Sequence, residues 1–206
     1  MFVTFEGPEG AGKSTALKSV AERLRQKGAT VLCTREPGAG SLGAKIRELL
    51  LHGEDLSPET EVLLFLADRA NHVQTIIGPA LDRGDVVLCD RFADSTLVYQ
   101  GYARGLGLDF LRTANSFATH GLKPTLTILF DLDPEVGLAR LTSKDRIDAH
   151  PLEFHRKVRD GFLELARQDP QRWTVVDANN SSETLAELVF SEVANRLLFT
   201  EEARGV

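Results

Sequence analysis

Residues Gly7-Pro8-Glu9-Gly10-Ala11-Gly12-Lys13-Ser14 match the phosphate-binding pattern G-x-x-x-x-G-K-[ST] at every fixed position. The chemistry of that pattern is anion capture. Glycines let successive N–H groups turn inward to form a cradle, and a following helix adds the positive end of its dipole. Lys13 is long enough to reach β- and γ-phosphates, and the Ser14 hydroxyl suits Mg²⁺. A plain glycine-rich turn is the alternative, but the context favours the site: an apolar run (Phe2, Val3, Phe5) precedes it and a helical pattern follows.

Further candidates come from residues that follow apolar runs. Asp90 and Arg91 end the run Val86–Asp90. An Asp there suits a metal or its bound water, and an Arg there suits a phosphoryl group. Phe65 and Arg69 lie one helical turn apart, offering a ring face beside a planar donor fork, as a nucleobase would require. A core Phe with an Arg lying over it explains the same spacing. Glu36, beside Arg35, could accept from a sugar hydroxyl, or belong to a solvated loop. Ser95, Thr96, Tyr99 and Gln100 share helical spacings after Arg91, and the Gln100 amide has both the donor and the acceptor that a base edge needs. Arg140, Lys144 and Arg146 fall in or beside a polar stretch at 142–151, where a closing lid could bring charge and exclude water.

These residues need a scaffold. Leu17, Val20, Ala21 and Leu24 predict an amphipathic helix after the loop, ended by Gly28. Strands are expected at 29–34, 86–90, 125–131 and 173–176, in addition to the first. Ser57-Pro58-Glu59 marks a helix start, continuing through Val73, with an interruption or kink at Gly78-Pro79. Residues 92–120 read as helical with a break at Gly101 to Gly107, and 133–141, 152–168 and 183–199 as helices with a frayed end beyond. Residues 142–151 read as mobile rather than core. Strands alternating with helices give an α/β, three-layer P-loop NTPase fold: a five-stranded parallel sheet, helices on both faces and a short lid, in one domain spanning 1–206. Ligands in such sheets bind at the carboxyl ends of the strands.

Composition narrows the function. The formal charge of −6 over 206 residues provides no global basic field, which argues against a nucleic-acid polymer as partner. No apolar run reaches the length of a membrane span, and the strand beginning at residue 2 is read as leaving no room for a signal peptide. Cys33 and Cys89 are expected to be buried, reduced thiols of a cytoplasmic protein.

Taken together, FEGPEGAGKST at 5–15, TREPG at 34–38, LFLADRANHV at 64–73, DRFADSTLVYQG at 90–101 and FDLDPEVGLAR at 130–140 resemble the thymidylate kinase family of P-loop nucleoside monophosphate kinases. The resemblance implies γ-phosphoryl transfer from ATP to dTMP, giving dTDP for dTTP supply, with Mg²⁺, in a cytoplasmic homodimer. It implies that Gly7, Pro8, Glu9, Gly10, Ala11, Gly12, Lys13, Ser14 and Thr15 hold ATP, with Ser14 and Asp90 at the metal. Arg91 would hold the dTMP phosphate and Phe65 would stack on thymine, with Arg69 and Gln100 near its edge. Glu36 would lie by the deoxyribose, Ser95 and Tyr99 would line the same pocket, and Glu9 would face the acceptor.

No Arg lies inside the P-loop, so the sequence resembles the bacterial type, in which lid arginines supply charge. Here the lid lacks the usual Arg-Gly pair before Asp145-Arg146. Arg146 is the main candidate for catalysis beside Lys13, Arg91 and Glu9, with Arg140 second. Ala39 and Phe92 also depart from the usual residues without removing a charge. Other readings consistent with the sequence are a P-loop kinase for a different nucleoside or monophosphate, and a nucleotide-gated binding module.

Overall fold

The computed structural model describes residues 1–204. Five parallel strands, β1 (Phe2–Glu6), β2 (Val31–Arg35), β3 (Val86–Asp90), β4 (Leu126–Asp131) and β5 (Trp173–Asp177), form one sheet in the order β2-β3-β1-β4-β5. This is the α/β P-loop architecture expected. β1 lies at the centre, with Phe5 opposite both Asp90 of β3 and Ile128 of β4. The loops that leave the carboxyl ends of β1, β2 and β3 therefore open on one edge of the sheet, with Arg35 in register with Asp90.

The two faces of β1 follow from period-2 alternation. Val3 and Phe5 point into a core shared with α1 (Lys13–Gln26) and α9 (Ser182–Arg204), including Val20, Ile128 and Val189. Phe2 points to the opposite face and packs with Ile77, Val87 and Phe92. Thr4 and Glu6 share that face, where Thr4 bonds Thr127 at 2.9 Å. Further along the same side, Leu129 and Trp173 pack against Val158 and Phe162 of α8 (Leu152–Gln168).

α2 (Gly40–His52) and α3 (Pro58–His72) pack against each other, and both line the cleft, through Arg47 and Leu51 and through Phe65 and Arg69. α3 starts as its sequence predicts: the Ser57 side chain accepts from Thr60 N–H, Pro58 occupies the first turn, and Glu59 and Glu61 follow. At Gly78-Pro79 the helical path does not break. A π-helical turn at Val73–Ile77 precedes α4 (Gly78–Asp82), and this wider turn accommodates a proline that has no N–H to donate. A second π-helical stretch, Leu97–Ala103, continues α5 (Ala93–Thr96) through Gly101, so the break expected at Gly101 to Gly107 is present only in its later part, from Arg104 to Gly107. Gly101 serves packing instead, since a Cβ there would meet Leu108 Cδ2 at 2.5 Å. α6 (Leu108–Thr119) and α7 (Pro134–Ala139) complete the set.

Two further expectations are corrected. Cys33 is exposed, because it lies on the edge strand β2; Cys89, on β3, is buried. α9 runs to Arg204 rather than ending at Phe199, and the remainder of the expected frayed end, residues 205–206, lies outside the described residues.

Candidate active site

The loop from Gly7 to Gly12 leaves β1 and enters α1 through Gly12, whose φ is 85°. No side chain caps the first amides of α1 and no acid sits in its first turn, so those N–H groups are left for an anion. The loop is held against α7 by a backbone contact with no room for a side chain. A Cβ on Gly10 would lie 2.1 Å from Gly137 O, and one on Gly137 would lie 2.2 Å from Glu9 O.

Lys13 donates to Gly7 O at 3.0 Å and Pro8 O at 2.7 Å. Burial, then the Arg91 charge, lowers its pKa to about 8. A polyphosphate would reverse that shift by giving the ammonium a counter-charge. Ser14 Oγ hydrogen-bonds Asp90 Oδ2 at the mouth of the loop. A hydroxyl and a carboxylate in contact form the hard oxygen donor set that Mg²⁺ prefers, so the residues fit such an ion.

The cleft holds about 330 Å³, the size of a small-molecule site. Glu9, Gly10, Lys13 and Ser14 line its loop side, and Asp90, Arg91, Ser95 and Tyr99 its floor. Glu36, Phe65, Arg69 and Gln100 form the opposite wall. Of the remaining loop residues, Gly7, Pro8, Ala11, Gly12 and Thr15 do not line it; they contribute backbone or lie behind. Thus residues from four separated stretches are brought to one place.

Arg91 occupies a left-handed conformation, φ 68°, unusual for a residue with a side chain. Its backbone is held on both sides: its own N–H bonds Phe5 O at 3.0 Å, and the next N–H, on Phe92, bonds Glu6 Oε1 at 2.8 Å. The guanidinium donates to Glu9 Oε1 at 3.2 Å and to Ser95 Oγ at 3.3 Å. Ser95 in turn donates to Glu6 Oε2 at 2.6 Å. Burial opposes the Arg91 charge, but Tyr99, Glu9, Asp90 and Glu6 together hold its pKa above the ordinary arginine value.

Glu9 is nearly enclosed. Burial alone would raise its pKa; a hydrogen bond from His155, the charges of Arg91 and Lys13, and the Tyr99 hydroxyl bring it down to about 2. His155 Nδ1 lies 3.2 Å from Glu9 Oε2, and Tyr99 donates to Oε1.

Arg69 is fully buried with four directed bonds: Glu36 Oε2 at 2.8 Å, Thr96 Oγ1 at 2.9 Å, Asn115 Oδ1 at 2.7 Å and Phe92 O at 3.1 Å. Of the five guanidinium donors, one N–H remains for the cleft. Glu36 is fixed from its other side by His72 Nδ1 at 2.9 Å. The solvated loop considered for Glu36 is therefore excluded, as is an Arg69 that merely lies over Phe65 on the surface.

Arg146 is not brought to the cleft. Its Nε donates to Leu50 O at 2.9 Å and its Nη2 to Glu61 Oε2 at 2.5 Å, while its neighbours Asp145, Ile147 and Asp148 face inward. The reason is charge: a buried carboxylate, 85 residues away in sequence, pairs with it. Arg140 instead sits at the P-loop, with Nη1 3.4 Å from Gly10 O. Lys144 does not line the cleft.

Sequence reasoning missed Glu6, His155, Glu61 and Arg47. An acid ending an apolar strand was a usable signal for Glu6. His155 and Glu61 look like ordinary polar positions of amphipathic helices, and Arg47, whose Nη1 bonds Pro37 O at 3.0 Å, like a surface residue.

A family model described as thymidylate kinase matches residues 5–189. A thymidylate kinase of Synechococcus sp. (strain JA-2-3B'a(2-13)) is 54% identical over 197 residues, covering 96% of each chain. One from Thermomicrobium roseum is 54% identical over 196 residues and 93% of each chain. The crystal structure of thymidylate kinase from Ehrlichia chaffeensis superposes with a TM-score of 0.78 at 34% identity, over 94% of this chain and 98% of that one.

Proposed function

The chain belongs to the thymidylate kinase family and phosphorylates dTMP, and we propose that the transfer takes place in the cleft between the P-loop and α3. The observation that carries this reading is the convergence of Lys13 and Arg91, from the ends of two adjacent strands, opposite the Phe65 ring. One cation faces where the donor phosphates would bind and the other where an acceptor phosphate would lie, with an aromatic face in the same cleft.

Phosphoryl transfer of this kind needs little acid–base chemistry; positioning and charge stabilisation do most of it. The open amides of α1 and Lys13 hold the ATP phosphates. Arg91 holds the dTMP phosphate and the moving group, oriented by Ser95. Glu9, oriented by Tyr99 and His155, faces the acceptor sugar. Phe65 stacks on thymine, and the remaining N–H of Arg69 reaches its edge beside Gln100. Ser14 and Asp90 would hold Mg²⁺, which would supply neutralising charge to the donor phosphates.

The chain acts as one kinase domain with residues 142–151 as its lid. Arg140 is the lid-side cation nearest the donor, and Arg146 anchors the segment to α3. A cytoplasmic setting is supported by two unpaired cysteines, one exposed. A homodimer is supported by apolar side chains left exposed on α2, α3 and α6.

The test is a substrate panel of dTMP, dUMP, dCMP, UMP, AMP and thymidine with Mg·ATP, run on wild type, Lys13→Ala and Arg91→Ala. We expect dTMP to be the preferred acceptor, and each substitution to lower kcat by roughly 10²–10³ without unfolding, the usual loss for one charge-stabilising donor. Near-wild-type turnover in Arg91→Ala would remove its assignment.

A further inference from the structure

Glu61 lies on α3, is 1% exposed, and does not line the cleft. Three side chains from two other segments converge on it. Gln100 Nε2 donates to Oε1 at 2.9 Å, Arg104 Nη2 to Oε2 at 3.0 Å, and Arg146 Nη2 to Oε2 at 2.5 Å. Arg104 Nε also lies 2.9 Å from Oε1 in charge contact, though its N–H is not aimed for a hydrogen bond.

The bond to Gln100 decides something that the amide alone leaves open. An ionised carboxylate can only accept, so the amide must turn its NH₂ group toward Glu61. Its carbonyl oxygen is then left over. Among the described residues nothing donates to Gln100 Oε1, and the atom is not enclosed. Gln100 lines the cleft, so that oxygen is presented to whatever base lies against Phe65.

We propose that Glu61 is a positioning residue for base choice: by fixing the Gln100 amide it makes the site an acceptor for a ring N–H. Thymine and uracil carry a hydrogen on N3, between two carbonyl groups. Cytosine carries a lone pair on N3, which would face the Gln100 oxygen without a hydrogen between them. An unpaired polar contact in a desolvated site is the strongest basis for rejecting an analogue. The thymine methyl plays no part in this step, so Glu61 separates dTMP and dUMP from dCMP, and not dTMP from dUMP. Arg146 binds the other oxygen of the same carboxylate, so the 142–151 segment and the base readout share one anchor.

This inference rests on the reading of the cleft as the dTMP site. The experiment is kcat/KM for dTMP, dUMP and dCMP in wild type, Glu61→Gln, Gln100→Ala and the double variant. In Glu61→Gln the dTMP-to-dCMP ratio is expected to fall about tenfold, the size of one directed hydrogen bond, through KM more than kcat. The dTMP-to-dUMP ratio stays as it was. In the Gln100→Ala background the same change leaves the dTMP-to-dCMP ratio unaltered, because Glu61 acts through that amide. A merely structural Glu61 would lower all three substrates together in both backgrounds, and that result would overturn the proposal.

If Glu61→Gln does not fold, a measurement that does not need it still decides. The Gln100 side-chain NH₂ resonance, identified by its loss in Gln100→Ala, should exchange slowly with solvent in the free enzyme, and rapid exchange would overturn the assignment. Failure of wild type to phosphorylate dTMP would sink both readings, whereas an unchanged ratio in an active Glu61→Gln sinks only this one.

Discussion

Glu6 and Glu9 are two carboxylates three residues apart whose surroundings push them in opposite directions. Burial, reinforced by Asp94, raises Glu6 to about 7, while Ser95, Arg91 and the Phe92 amide only partly compensate. Glu9 is held at about 2. Their contributions to stability therefore have opposite signs with pH. The Glu9 contribution is present above its ordinary value of 4.5 and is lost as pH falls toward 2. Glu6 behaves as a group with a raised folded value: its contribution is full below 4.5 and is lost as pH rises through about 7. The upper bound on that loss is roughly 3 kcal/mol. The two carboxylate oxygens of Glu6 clamp the left-handed turn at Arg91 through the Phe92 amide and the Ser95 hydroxyl. Glu6→Gln keeps an acceptor for Phe92 N–H and a partner for the Ser95 hydroxyl, but cannot ionise. The Tm difference between Glu6→Gln and wild type should move in favour of the variant between pH 5 and pH 8. Parallel Tm curves for the two proteins over that range would show that Glu6 does not titrate there. None of this was legible in the sequence, where Glu6 is one acid at a strand end; the effect comes from burial and from Asp94, far away in the chain.

At the scale of elements, the sequence carried most of the fold because periodicity and punctuation act locally. The run Val86–Asp90 and the Ser57-Pro58 helix start are read directly from neighbouring residues. The failures were local rules overridden by distant contacts. The break read at Gly101 to Gly107 begins only at Arg104, because Gly101 itself is a packing position under Leu108. Residues 142–151 read as a mobile segment, and distant contacts give it two anchors: Arg146 is bound to Glu61, and Ile147 packs against the apolar clusters that Leu66 and Phe65 also join. The P-loop pattern marked the residues proposed to bind phosphate, but not what holds the loop. That support is α7, whose Gly137 touches the loop backbone. Gly137→Ala keeps a helix-compatible residue, so any loss comes from the 2.2 Å approach to Glu9 O and not from backbone conformation. Overpacking of this kind costs about 1–3 kcal/mol. At the usual slope for a chain of this size, Tm should fall by roughly 2–12 °C. KM for ATP should rise more than KM for dTMP, because the displaced segment is the donor loop. Calorimetry and initial rates on the purified variant check both, and an unchanged Tm would mean that α7 simply moves away.

For the whole molecule, the unresolved balance lies on the outer side of α3. This helix turns Phe65 and Arg69 toward the cleft and Leu63, 59% exposed, away from it. It lies between α2, with Leu42 and Leu49 exposed, and α6, with Phe110 and Phe117 exposed. Phe110 and Phe117 are seven residues apart, hence on one stripe of α6, and Phe117 is 85% exposed. An apolar face spanning three neighbouring helices is costly to leave in water and marks an interaction surface. In a twofold dimer each residue of such a face is used twice, so one substitution counts twice. Phe117→Asp would place two carboxylates in the interface, where truncating a central aromatic already costs about 2 kcal/mol or more. In sedimentation equilibrium, wild type should behave as a dimer of the 22.6 kDa chain and Phe110→Asp/Phe117→Asp as a monomer, with the same circular dichroism. Because α3 carries the base wall on its other side, the monomer should also bind dTMP more weakly while ATP binding changes little. A wild-type protein that sediments as a monomer at tens of micromolar would remove the dimer. A monomeric variant with unchanged KM for dTMP would separate assembly from the site.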